Sequence, residues 1–441
     1  MMRPTKFFAF LLAGTTFAAT LPSQDSFYRQ PENISSYKPG QIITSRKAGT
    51  NLQGILPFGP TPNVENAMQY LYRTTDSLNN PVAAVATLLM PSRNADPEKL
   101  LVFQAIYDSA NNDCSPSYAW LAGANTTSAF DVVFVTSALD KGWYVLAADY
   151  QGLEAQFTAG VMAGHAVLDG VRAAFNGAGE TRLSLQARYA MWGYSGGGLA
   201  TEWAVELQKC YAPELHFEGA ALGGLTPYIE KVIKTISGSA DAGIGLAGIK
   251  GLSKAYPRLG EWLDRSIVPE KKALFEHVTH GCLLEEELGA KDLDIFSFFQ
   301  QGPEVFDEPA VKEALQAGGT MGVHGIPQMP LFVYEGEKDR VEAPKDTEAL
   351  VAHFCQHEGV TIQYQKARLL SHPGEDVFGS VDALPWVQDR LEGKEITNHG
   401  CTSGKVTLFG LDGASVRALG SDLAAVAADL LGSDLGPFGW G

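Results

Sequence analysis

Three kinds of hydrophobic pattern alternate along this chain. Residues 100–107 and 143–150 are continuous apolar runs, the signature of central parallel strands covered on both faces. Shorter runs at 82–90, 189–193, 217–222, 331–334 and 361–367 predict further strands, the first opened by the Asn79-Asn80-Pro81 turn. Between them the spacing turns helical at 158–175, at 346–357 and at 377–391. Leu199, Trp203 and Leu207 mark one face of another helix. Strands alternating with helices predict an α/β fold with a mostly parallel central sheet. The alternation fails at both ends of the chain and once inside it. Residues up to about 58 are rich in Pro, Ser and Gly and are expected to wrap the surface. From 226 to about 330 only helical patterns remain, separated by glycine turns such as Ser237-Gly238 and Gly318-Gly319. Connections in α/β folds are short, so a helical insertion of this length reads as a cap or lid over the carboxyl edge of the sheet.

The boundaries follow. Residues 1–19 read as a signal peptide, 20–225 as the first part of the core and 226–329 as the helical insertion. Residues 330–441 complete the core and end in a tail. Arg3 and Lys6 precede an apolar stretch from Phe7 to Ala19, and small residues around Ala18-Ala19-Thr20 suit cleavage. The alanine-rich tail around Leu423 to Leu431 is broken by Asp429 and is too polar for an anchor. A secreted protein without a transmembrane segment is the expectation. Asn33-Ile34-Ser35 and Asn125-Thr126-Thr127 are glycan acceptor sequons in a eukaryotic host. Five cysteines, Cys114, Cys210, Cys282, Cys355 and Cys401, leave at least one thiol unpaired. Four paired cysteines allow three connectivities, which the sequence leaves open. The formal net charge of −17 disfavours nucleic acid and anionic membrane surfaces, and points to a neutral substrate.

Candidate chemistry begins at Gly193-Tyr194-Ser195-Gly196-Gly197, between a predicted strand and a predicted helix. There a G-x-S-x-G run reads as a nucleophile elbow, with Gly193 and Gly197 where side chains would collide. A serine hydroxyl needs a histidine to take its proton and a carboxylate to fix that histidine. Taken in the chain order Ser, Asp/Glu, His, the acid should follow the strand at 331–334. Asp339 in Glu335-Gly336-Glu337-Lys338-Asp339 is the candidate; Glu335, Glu337 and Glu342 are its competitors and read as solvated loop charges. His372 is the histidine of the loop after the 361–367 strand, and Pro373 is expected to hold it extended. An unperturbed histidine would cost activity below about pH 6.5. Gly196 would supply one oxyanion donor. The other is expected from the loop at Tyr107-Asp108-Ser109, through the Asp108 amide, since the HGGG run of many lipases is absent. His353 and His357 stand four apart on a predicted helix, but no third ligand has suitable spacing, so neither metal nor other cofactor is expected.

Several of these runs together carry a resemblance. They are Tyr107-Asp108-Ser109, Asp113-Cys114-Ser115-Pro116-Ser117-Tyr118, Ala148-Asp149-Tyr150-Gln151-Gly152, Leu168-Asp169-Gly170-Val171-Arg172, the elbow, and Tyr211-Ala212-Pro213-Glu214-Leu215. The sequence resembles the fungal secretory lipase family from about Lys38 to near Gly432. The resemblance implies an α/β-hydrolase core with a helical lid and a Ser195–Asp339–His372 triad. It implies an oxyanion hole from Asp108 and Gly196, and disulfides Cys114–Cys282 and Cys355–Cys401, with Cys210 an addition. The lid residues and the run around His372 depart from the family pattern, so acyl preference does not carry over. The function implied is a secreted carboxylic-ester hydrolase, foremost a triacylglycerol lipase, acting as a monomer on a neutral ester. Fungal esterases that deacylate secondary metabolites, such as trichothecenes at C-3, resemble this family too and form the alternative. A catalytically dead binding module on the same fold would lack a triad member, and all three candidates stand in order here. Nothing in the sequence favours a peptidase over an esterase.

Overall fold

Apolar runs that can be covered on both faces become the middle of one mixed sheet. The computed structural model describes residues 20–50, 52, 63–122, 131–397 and 399–406. The signal segment, the sequon at Asn125 and the tail beyond 406 lie outside them. The strands are β1 Ile42–Ala48, β2 Val64–Thr75, β3 Pro81–Pro91, β4 Asp96–Gln104, β5 Trp143–Ala148, β6 Arg188–Tyr194, β7 Ala220–Gly223, β8 Leu331–Gly336, β9 Ile362–Ala367 and β10 Cys401–Val406. Their order across the sheet is β1-β2-β3-β5-β4-β6-β7-β8-β9-β10. From β5 to β10 every neighbour pair is parallel, while β1, β2 and β3 form an antiparallel edge that joins at β5. All residues of β5, β7 and β8 are buried, as continuous Val, Leu and Ala runs require.

Strand periodicity sorts the core into two layers. Along β6, Tyr189 and Met191 face one layer, with Leu168, Val171, Leu199 and Trp203 of the helices Gly160–Asn176 and Gly196–Tyr211. Ala190, Trp192 and Tyr194 face the other, with Phe134, Leu384 and Val387 of the helices Val132–Asp140 and His372–Leu391. Each such side chain contributes about 1.5–3 kcal/mol by leaving water. The two layers hold the carboxyl ends of β4, β6 and β8 at fixed spacing.

The structure departs from the sequence expectation at the sheet's edges. Residues 42–48 were expected in the surface wrap but form β1, paired antiparallel with β2. Within residues 20–41, Phe27, Tyr28 and Ile34 pack on Leu71, Ala83 and Val85 at that edge, while Leu52 joins the buried core. At the other edge, β10 has the unpatterned sequence Cys-Thr-Ser-Gly-Lys-Val, and its register comes from β9. Cys401 of β10 is bonded to Cys355, and Cys114 to Cys282, leaving Cys210 exposed and free.

Between β7 and β8 the chain is helical, with the helices Ile229–Ile236, Ala242–Ala255, Pro257–Ser266, Lys272–Thr279, Leu283–Ala290 and Pro309–Gly318. Among the described residues this region has no strand, only isolated bridges between Tyr228 and Thr320 and between Ile267 and Phe299. Its apolar interior, including Ile236, Leu246, Phe275 and Phe298, is continuous with the layer that holds Leu168 and Trp203. The bridge from Tyr228 to Thr320 ties its entry to its exit, and the Cys114–Cys282 bond ties its middle to the loop after β4. No helix among the described residues is long and apolar enough to cross a membrane.

Candidate active site

At the end of β6 the backbone turns at Ser195 with φ 51° and ψ −120°, and the helix Gly196–Tyr211 starts at the next residue. A non-glycine residue at positive φ carries strain of order 1–3 kcal/mol, which the packed surroundings must sustain. The close approaches explain the glycines. A Cβ on Gly193 would stand 2.2 Å from the Gly197 carbonyl oxygen, and one on Gly197 2.0 Å from that of Gln104. Ser195 is left partly exposed at the tip.

Two other strand ends deliver its partners. After β8 the chain makes a tight turn in which Asp339 Oδ1 accepts the N–H groups of Val341 at 2.8 Å and Glu342 at 2.9 Å. Its Oδ2 accepts His372 Nδ1–H at 2.5 Å, and Ser195 Oγ donates to His372 Nε2 at 2.8 Å. These partners define the tautomer, with the ring proton on Nδ1 and the acceptor lone pair facing the serine. The Asp339 side chain is fully buried and the imidazole 12% exposed. His372 is not in an extended loop, as Pro373 had suggested. It is the first residue of the helix His372–Leu391, and the extended residue is Ser371 before it. Proline suits a helix's first turn, where its missing N–H costs nothing. Tyr194 Oη donates to the His372 carbonyl at 2.7 Å, tying that helix start to the elbow.

Charge follows geometry. Burial opposes ionisation of Asp339, but His372, Glu335 and the Glu342 amide outweigh it and hold the carboxyl below the usual range. Burial likewise opposes protonation of His372, yet Asp339 first, then Asp376 and Asp241, hold its pKa above the ordinary histidine value. The acid limit expected at about pH 6.5 therefore moves upward.

Asp108 follows β4, with φ 27° and its side chain buried. Burial pushes its carboxyl up to about 7, against the opposing pull of His372 and of the Asp108 and Gly196 amides. Both amides expected to receive an oxyanion thus act on one carboxyl group. A Cβ on Gly196 would meet Asp108 Oδ1 at 1.7 Å, so a side chain there would displace the Asp108 carboxyl.

The competing acids are not solvated loop charges. Glu335 is 0% exposed and Glu342 1%; only Glu337 reaches solvent, where it pairs with Lys405. Burial pushes Glu342 up to about 9, and Asp346 and Asp339 add to the shift. Sequence reasoning named Glu335 and Glu342 but misread their exposure, and it missed Asp241 and Asp376, which bear on His372. For Glu335 a signal existed: it directly continues an unbroken apolar strand. Asn33 is exposed, as a glycan acceptor would need. His353 and His357 sit at the end of the helix Pro344–Phe354 with rings 5.5 Å apart, and no group of three ligating side chains gathers among the described residues.

A family model described as secretory lipase matches residues 121–399. This chain belongs to the secretory lipase family. It is accordingly a serine carboxylic-ester hydrolase with an α/β-hydrolase fold. Lipase A of Arthroderma benhamiae is 33% identical over 94% of this chain and 89% of that protein. A trichothecene C-3 esterase of Fusarium sporotrichioides is 34% identical, covering 90% of each chain. The crystal structure of Candida antarctica lipase A in its closed state superposes with a TM-score of 0.83 at 29% identity, covering 93% of this chain and 95% of that one.

Proposed function

We propose that this secretory lipase is exported and hydrolyses triacylglycerols through Ser195, His372 and Asp339. The observation that carries the reading is a single imidazole bridging Ser195 at 2.8 Å and a buried, ionised Asp339 at 2.5 Å. Ser195 Oγ attacks the ester carbonyl while His372 Nε2 takes its proton. The amides of Asp108 and Gly196 receive the developing oxyanion. His372 then protonates the leaving alcohol, which departs and leaves an acyl-enzyme. Water, deprotonated by His372, attacks that acyl group, and the carboxylic acid leaves as Ser195 regains its proton. Asp339 holds the ring and balances the imidazolium charge throughout. Residues 226–329 act as a cap above the serine, and the enzyme works as a monomer, without metal or cofactor, on a neutral ester. Asn33 and Asn125 carry glycans when the host glycosylates.

The second reading is an esterase that deacylates one secondary metabolite. It is favoured by one observation, that the trichothecene esterase is as similar to this chain as Lipase A is. Assaying the purified enzyme and S195A on long-chain triglyceride emulsions and on small acetyl esters tests both. Turnover of emulsions by the wild type alone supports the lipase. Turnover of acetyl esters alone supports the second reading, and turnover by S195A overturns both.

A further inference from the structure

The buried acid beside Asp339 has a role that the three-residue site does not assign. Glu335 is the penultimate residue of β8 and is wholly excluded from solvent. Its Oε2 accepts the Thr347 hydroxyl at 3.1 Å, from the helix Pro344–Phe354. Its Oε1 has no donor among the described residues, while its side chain lies in hydrogen-bonding contact with the Asp339 carboxyl. Two ionised carboxylates have no hydrogen to share, so one member of this pair must carry a proton. Asp339 already receives two backbone N–H groups and the imidazole N–H, the donors that stabilise an anion. Glu335 receives one neutral hydroxyl. The proton belongs on Glu335.

We propose that Glu335 is a neutral carboxylic acid donating a hydrogen bond to Asp339, and that it is a positioning residue for the acid of the triad. The inference rests on the Ser195–His372–Asp339 reading. As a donor, Glu335 completes the set around Asp339 and fixes its carboxylate plane against the ring. Being neutral, it leaves Asp339 as the anion that His372 meets directly. The titratable groups around it give no reason to ionise: Asp339 and Glu342 in the same turn, Tyr364 from β9 and Tyr194 from β6. Of the nearby cations, Lys231 pairs with Asp346 and acts on Glu342, and Lys366, the register neighbour of Glu335 on β9, pairs with Glu348. Burial first, and then the Asp339 charge, hold the Glu335 carboxyl well above the ordinary range. When it does ionise, in alkali, it loses the proton it donates and repels Asp339, so the carboxylate is no longer held against the imidazole. Glu335 therefore sets an alkaline limit on turnover.

The test is the pH profile of kcat and kcat/KM on a soluble ester for the wild type, E335Q, E335L, T347V and S195A. E335L, with no donor, should lose about tenfold in kcat at the optimum with KM unchanged, as expected for a lost bond to a charged group. E335Q keeps a donor that cannot ionise. It should recover most of that loss and place the alkaline limb at least about one pH unit above the wild type's, with the acid limb unmoved. T347V removes a donor that favours the ionised form, so it too should move the alkaline limb upward, and it tests the idea if Glu335 variants fail to fold. An alkaline limb shared by the wild type with E335Q or T347V overturns the proposal, as does a kcat for E335Q as low as that of E335L. Turnover by S195A would instead overturn the triad reading. An inert S195A beside Glu335 variants with wild-type profiles would remove only this inference.

Discussion

The turn after β6 and the turn after β8 both present a reactive side chain at the sheet's carboxyl edge, but they are built from different materials. At Ser195 the shape is set by backbone contacts between residues close in sequence, Gly193 against Gly197, with Gln104 of the neighbouring strand behind them. At Asp339 it is set by protonation and burial, with Glu335, Glu342, Thr347 and His372 converging from three elements. Steric necessity imposes a residue type and so leaves a motif. A shared proton imposes no motif, and leaves at most a glutamate that continues an apolar strand. The first kind of site is visible in a sequence and the second only in a fold.

Several measurements would break or sharpen that contrast. The largest effect expected is for S195A, about a millionfold loss in kcat with the fold intact by circular dichroism, as for other serine nucleophiles. Next, D339N should cost about ten-thousandfold in kcat, because an amide orients the imidazole in the wrong tautomer. G197A should act through the backbone and lower unfolding free energy by about 1–3 kcal/mol in urea titration, with activity falling alongside. If G197A lost no stability, the steric account of the elbow would fail. A smaller effect concerns pH. The competent base is neutral His372, whose pKa is raised, so its neutral fraction vanishes as pH falls through a value above about 6.5. The acid limb of kcat/KM should therefore lie above that value, and a limb below it would contradict the charge pattern described. Smallest for activity is C355S, whose bond to Cys401 closes a loop with a sequence separation of 46. It should lose about 2–4 kcal/mol of stability while kcat changes little.

Legibility tracked the physics element by element. The buried strands β5, β6 and β8 were readable because their residues face apolar layers on both sides. β1 and β10 were not, because one lies in a polar, proline-rich segment and the other takes its register from β9 alone. The helix at His372 was foreshortened because Pro373 argued for extension, and proline within the first turn obeys a different rule. Ser195, Asp339 and His372 could be nominated from motif and order, and the structure brings all three within hydrogen-bonding distance. The neutral state of Glu335 could not, since its signal is the absence of a donor at one oxygen.

The most direct test of the central claim is active-site labelling with an aryl phosphonate ester, followed by mapping of the modified residue in the wild type and in H372A. The account predicts one label per chain, on Ser195, and a labelling rate that collapses when the imidazole is removed. A label on any other residue, or an undiminished rate in H372A, would contradict it.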